Sequence, residues 1–454
     1  MSNILRILLL LFLVSGCSLD KKSGLWTKTE KIKKEKKVLI TEQFEEETVL
    51  ESEFNSELKV NLPGKLNKNS FINILNNNNG QIDYDGSLKK SSRFKFSKID
   101  NFNQFEPEIV FNNDNIVFFD NKGSILKFDK YSKLLWKKNY YLKNEKKSKP
   151  ILFLGNNKNT LFVADNIAKY YAININTGDL LWLKTNSSPF NSQVKIFKDK
   201  FFVVDFQNIL RCFSIKDGSE LWNFKTDQSF IKSQKKLSLI IVKNKVIFNN
   251  SIGDISAVGI DNGSLIWQTP TQSSAIYEDS FFLKTSDLIA NNNSVLFSNN
   301  RNEFFSLDVE SGAIIWKQKI NSNLRSTLVE NTIISVTNEG YLVIVDNRTG
   351  NIIRITNIFK NFKKKRKFKA RGLGAMSDPD IKALKLKNDI EPVGFIVGSK
   401  KVYISTDHGR LLVVDIKNGK TISILKIDNE KISRPFVLNQ SLFIIKDNSI
   451  IKLD

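Results

Sequence analysis

The chain has 454 residues, with 69 Lys and Arg against 47 Asp and Glu, a formal net charge of +22, one histidine and two cysteines. A single histidine excludes imidazole dyads and multi-histidine metal centres, and Cys17 with Cys212 supplies neither a CxxC pattern nor a disulfide framework once Cys17 is processed. The positive excess suits polyanions or an anionic membrane face, yet acids and bases are mixed along the chain, so the reading adopted is a solvated surface with no nucleic-acid partner.

Arg6 precedes the apolar run 7–14, which is short for a bilayer span and right for a signal-peptide core. The run ends in Leu13-Val14-Ser15-Gly16-Cys17, which resembles a bacterial lipobox. That resemblance implies a signal peptide over residues 1–16 and a diacylglyceryl group on the Cys17 thiol. It further implies a mature chain anchored in the outer membrane on its periplasmic face, since Ser18 replaces the Asp that favours inner-membrane retention. A plain secretory signal containing a cysteine is the alternative. Acyl chains contribute about 0.8 kcal/mol per buried methylene, so several make a stable anchor. Residues 17–70 then read as a lipidated N-terminus and flexible tether, with a Lys-rich stretch (28–37) followed by an acidic one (Glu42 to Glu53) and little apolar periodicity.

From about residue 90 the chain repeats itself. The unit is clearest in LIIVKNKVIFNNSIGDISAVGIDNGSLIWQT (239–269), which reads as four short strands joined by tight turns. Trp182, Trp222, Trp267 and Trp316 each follow a glycine by four residues (Gly178, Gly218, Gly263, Gly312). Trp136 closes a first unit with Ser132 in the glycine slot. Two further units keep the glycine and lose the indole, placing Arg354 after Gly350 and Ser423 after Gly419. Intervals of 40 to 49 residues between tryptophans with four strands each are the sequence sign of a β-propeller.

Those units number seven, and the eighth is split. Residues 435–454 supply three strands, and SSRFKFSKI (91–99) is an orphan strand whose pattern matches residues 221–225. Pairing the two would close a ring and remove exposed sheet edges. The expected fold is all-β: an eight-bladed β-propeller over residues 71–454, with four-stranded antiparallel blades and the last blade closed by an N-terminal strand. Within it, Cys212 reads as a small buried hydrophobe. His408 reads as a turn residue, and Asp261, Asp308, Asp346 and Asp415 as turn acceptors.

One long break interrupts the repeat, an insertion at about 358–391 with eight Lys and Arg between Lys360 and Arg371. Loops of this length are usually functional or disordered. Contact with phosphate groups or an acidic partner, and a merely solvated insertion, both stay open.

The Gly and Trp spacing in blades of about 40 residues resembles the pyrroloquinoline-quinone-like propeller family. Lipobox, linker and eight blades with a split last one are similar to its outer-membrane assembly branch, the BamB family. The resemblance implies a non-enzymatic scaffold without cofactor that docks on the periplasmic domains of BamA, with nascent outer-membrane proteins as further partners. The family's docking loops correspond to 229–237 and 273–289. In the first, Phe230 and Ile231 are the apolar anchors and Lys232 or Lys235 the cation, although the family's Leu-Arg pair is not preserved. In the second, Asp287 falls at a family-like acidic position, with Glu278 and Asp279 as weaker candidates. An apolar anchor flanked by register-setting charges is sound docking chemistry. Two other classes are carried beside this one. A quinone-dependent dehydrogenase needs a calcium site and, in that family, a vicinal disulfide for which Cys212 has no partner. A periplasmic glycan-binding propeller is the other, since propellers host many functions.

Overall fold

Eight four-stranded antiparallel sheets take up the chain from Lys90 to its C-terminus, in the order the repeat predicts. The computed structural model describes residues 52–62, 66–69, 80–226, 235–271, 283–360 and 390–454, all within the unit Val49–Asp454. Blade 4 shows the plan, with Leu239–Val242 innermost, then Lys245–Asn249, Ile255–Gly259 and Leu265–Thr269 at the rim. The first three strands are buried along nearly their whole length, whereas the rim strand alternates with solvent. The inner strands are covered on both faces by neighbouring blades, which is why they read as continuous apolar runs and not as alternating ones.

Blade 8 is built from both ends of the chain. Phe436–Leu438, Ser441–Lys446 and Ser449–Leu453 are completed by Lys90–Lys95, which pairs antiparallel with the C-terminal strand, Phe94 opposite Ile450. The strand expected over 91–99 therefore spans 90–95. Beyond it the chain still holds the blade through Phe96 N to Asn448 O (3.1 Å) and Ile99 N to Asp447 O (2.7 Å). Phe94 is fully buried, its ring centroid 5.8 Å from that of Phe128 in blade 1 and 6.2 Å from Phe443 in blade 8. These rings belong to one apolar cluster running through blades 8, 1 and 2, so the joint is sealed by packing as well as by the ladder.

The repeated Gly and Trp lock each blade to the next. Gly312 sits at φ +72°, a conformation that L side chains rarely adopt, and a Cβ there would fall 2.5 Å from the indole of Trp267 in the preceding blade. The same ring donates its N–H to Val309 O at 3.0 Å. Trp182, Trp222 and Trp316 repeat this, reaching Ile215, Ile260 and Asn347 carbonyls. Ser132 takes the left-handed conformation of the glycine slot in blade 1, at φ +69°. Blade 1 also departs from the rule in its donor. Lys127 Nζ reaches the corresponding Ile175 carbonyl at 3.1 Å, and the buried Trp136 N–H has no partner among the described residues.

Arg354 shows what replaces a lost indole. It is fully buried, and its Nη2 donates to Ile416 O at 2.8 Å, the carbonyl an indole would reach from that slot. Its Nη1 donates to Lys417 O (2.6 Å) and to Leu58 O (2.9 Å). Leu58 belongs to the segment 52–62, which adds itself to the rim of blade 6 through reciprocal bonds between Phe54 and Ile355 (3.1 and 2.8 Å). Glu53 accepts from Asn357 N (3.2 Å) and pairs with Lys360 (2.7 Å). This part of the stretch assigned to the tether thus lies against the body.

Candidate docking face and central ion network

Strand direction alternates within a blade, so every connection from one blade to the next leaves from the same end of the ring. The stems of the two candidate docking loops, and of the basic insertion, are at this end. Each connection delivers the chain to an innermost strand beside the axis. Two residues before that strand stand Glu108 in blade 1, Gln193 in blade 3, Asp287 in blade 5, Arg325 in blade 6 and Arg434 in blade 8. Shared register at a shared end brings polar side chains from around the ring together.

They form one network. Lys236 Nζ lies 2.6 Å from Glu108 Oε1, and Arg434 reaches Glu108 of the adjoining blade 1 (3.3 Å) and, across the axis, Asp287 of blade 5 (3.4 Å). Gln193 donates to both carboxylates, at 3.2 and 3.3 Å. Lys235 lies 3.6 Å from Glu106 and donates to Asn323 O in the connection to blade 6. Burial pushes the Asp287 carboxyl up, but Lys236 and Arg434 outweigh it and hold it down at about 2. Burial likewise raises Glu108, and the same two cations bring it below its ordinary value. On the cationic side burial dominates. It brings the Lys195 ammonium down to about 8 against the pull of Glu108 and Asp287. Burial lowers Arg325 too, with Arg434 adding repulsion, and it lowers Lys431.

The predicted site residues fall in different places. Asp287 is only 3% exposed and lies beneath the face, inside the network. Lys235 is part-buried, tied to Glu106. Phe230, Ile231, Lys232, Glu278 and Asp279 lie outside the described residues, as do Cys17 and residues 361–389 of the insertion. Glu108, Gln193, Lys236, Arg325 and Arg434 were not foreseen. Apart from Lys236, which stands three positions ahead of Leu239, their signal was a polar residue two positions ahead of an innermost strand, recurring in several units.

Elsewhere the expected roles hold, except at Asp261. His408 sits in the turn between Lys401–Thr406 and Arg410–Asp415, bonded to Asp407 at 2.7 Å. Cys212 is fully buried, and burial pushes its thiol up to about 12. Asp308, Asp346 and Asp415 accept backbone N–H groups in their turns. In blade 4 the adjacent Asn262 does so instead of Asp261.

A quinone cofactor held through calcium would need oxygen donors free to converge on a hard cation. Here Glu106, Glu108 and Asp287 are each engaged by Lys or Arg, and among the described residues cations outnumber them around the axis. That donor set does not fit calcium. Among the described residues no three His, Cys, Asp or Glu side chains come together as a metal site.

Solved structures share the fold at low identity. BamB from Moraxella catarrhalis superposes with a TM-score of 0.59 at 14% identity, covering 81% of this chain and 99% of that one. The computationally designed Ika8 protein gives 0.57 at 13% identity (79% and 99%). The quinohemoprotein alcohol dehydrogenase ADHIIG from Pseudomonas putida HK5 gives 0.56 at 11% identity (83% and 78%). These show the architecture alone, and no curated protein sequence matches. The family profile described as outer membrane protein assembly factor BamB, by contrast, matches residues 90–356. With more than half its length covered by that profile, the chain belongs to the BamB family of pyrroloquinoline-quinone-like propellers.

Proposed function

We propose that the chain is a non-enzymatic scaffold lipoprotein of the outer-membrane β-barrel assembly machinery. It is anchored through Cys17 in the outer membrane on the periplasmic side. The loops 229–237 and 273–289 hold the periplasmic domains of BamA, with Phe230 and Ile231 as apolar anchors and Lys232 setting register. Lys235 and the buried Asp287 act from beneath, Lys235 bracing the first loop's stem on Glu106 and Asn323 and Asp287 bracing the second on Arg434. Family membership over residues 90–356 carries this reading. The carboxylates engaged around the axis favour it over a calcium-dependent dehydrogenase.

Nascent outer-membrane proteins are the further partners, and the rim supports that assignment. Leu180, Leu181, Leu265, Ile266, Ile314 and Ile315 are exposed on rim strands whose outer edges are the last in their sheets. Such edges take an added strand, as blade 6 does from Phe54. Affinity capture from solubilised envelopes tests the proposal. The tagged chain should retain BamA, and Phe230→Asp should lose it without a change in melting temperature. Retention of cell-wall polymer in place of BamA, or calcium-dependent dye reduction with added quinone, would replace the reading by a glycan module or an enzyme.

A further inference from the structure

Residues 52–62 are held on the rim of blade 6 chiefly through their main chain. Phe54 N donates to Ile355 O (3.1 Å) and Ile355 N to Phe54 O (2.8 Å). Arg354 Nη1 donates to Leu58 O (2.9 Å), and Val60 N donates to Lys417 O (2.9 Å), in the turn before the rim strand of blade 7. The side chains of Glu53 and Asn55 serve two more groups of the same edge, Asn357 N (3.2 Å) and Ile353 O (3.3 Å). Main-chain bonds of this kind hold an added strand with little regard to its side chains.

The segment is lightly committed to its place. Its pairing with the rim strand Ile352–Asn357 is the single bridge from Phe54 to Ile355. Val60 and Leu62 pack, part-buried, against the apolar cluster of blades 6 and 7, whereas Phe54 is 48% exposed and Leu58 45%. Few buried apolar contacts mark a segment that opens at low cost. The rim beneath it also differs from its neighbours. An indole offers a single N–H, which in blades 2 to 5 goes to a carbonyl of the next blade. A guanidinium offers several, so Arg354 serves the Ile416 and Lys417 carbonyls and still donates to a chain laid over the rim. Leu58-Lys59-Val60-Asn61-Leu62 alternates apolar and polar residues, which is the pattern of a transmembrane β-strand.

We propose that residues 52–62 are the resident occupant of a strand-accepting groove on blades 6 and 7, and that an extended segment of a nascent outer-membrane protein displaces them. The incoming segment pairs with Ile355, presents a carbonyl to Arg354 and an N–H to Lys417 O, and sets an apolar residue in the place of Val60. Main-chain recognition suits clients of differing sequence. The resident segment keeps the edge covered between clients, where a bare edge would invite aggregation. The proposal rests on the reading of nascent outer-membrane proteins as partners, and it adds which edge receives them and what covers that edge at rest.

The test is photo-crosslinking mass spectrometry on the purified full-length chain with two diazirine-bearing peptides. One has the sequence of residues 52–62. The other shares no identity with it and alternates apolar and polar residues as outer-membrane strands do. Phe54→Pro combined with Val60→Ser loosens the resident segment and leaves the eight sheets untouched, which an unchanged circular dichroism spectrum checks. Both peptides should crosslink within Ile352–Asn357, with a yield roughly tenfold higher in the variant than in wild type. The open fraction of the groove sets the apparent affinity, and each lost hydrogen bond shifts that fraction several-fold. If the double variant does not fold, Phe54→Pro alone decides. No crosslink within Ile352–Asn357 in the variant, or equal yields in variant and wild type, overturns the proposal. Crosslinks there from the 52–62 peptide alone overturn it too, for the groove is then a clasp specific to its own segment. Crosslinks of the alternating peptide confined to the rims of other blades overturn it while the partner reading stands, and their absence from the whole ring removes both.

Discussion

Replacing Phe94 by alanine separates a closed ring from an open array. Its ring is fully buried between Phe128 of blade 1 and Phe443 of blade 8, at the strand that joins the two ends of the chain. Truncating a buried Phe to Ala costs about 3–5 kcal/mol. With an unfolding entropy of about 2 cal/mol/K per residue over roughly 360 residues, the melting temperature should fall by about 4–7 °C. Leu221→Ala is the control, because Leu221 lies on the rim strand of blade 3 and is half-exposed. Surface truncations of that kind stay within about 0.5 kcal/mol. Differential scanning calorimetry on both variants reads the difference. If Phe94→Ala melts within about 1 °C of wild type, the strand at 90–95 does not hold the ring together.

Arg354→Ala should destabilise by about 2–4 kcal/mol, because the Ile416 and Lys417 carbonyls lose their buried charged donor. It should also speed proteolytic cleavage within 52–62, whose Leu58 carbonyl is released; equal cleavage rates would count against the clasp. Asp165 sets a pH dependence. Burial pushes its carboxyl up to about 6, against the bonds from Tyr141 and the backbone that pull it down. A raised acid favours the folded state when protonated, so its contribution is full below about pH 4 and lost as the pH rises through about 6. Asp165→Asn should therefore gain about 2 kcal/mol relative to wild type between about pH 4.5 and about pH 7.5 in denaturant titrations, and a flat difference would refute the assignment.

The blade count was legible because each repeat marks itself with a turn glycine and an aromatic four residues on, and both have one packing job. The closing strand was legible because SSRFKF keeps the rim pattern with no other sheet to join. What stayed hidden was set by three-dimensional neighbours. Arg354 reads as a lost indole until its guanidinium is seen on the Ile416 carbonyl. Asp287 reads as a surface acid, since nothing local reports that Arg434, 147 positions away, lies 3.4 Å from it. The axis network escapes sequence reasoning for the same reason: its members come from blades 1, 3, 4, 5, 6 and 8 and share only one end of the ring. The segment 52–62 was hidden too, for its charge suggests a solvated tether and its few apolar residues are spent on the rim of blade 6.

Crosslinking mass spectrometry on intact envelopes tests the scaffold claim most directly. Amine-reactive links from Lys232 to the periplasmic domains of BamA are the predicted result. Links to BamA arising instead from Lys198, Lys243 and Lys417, at turns on the opposite end of the ring, would contradict the docking face and the loops assigned to it.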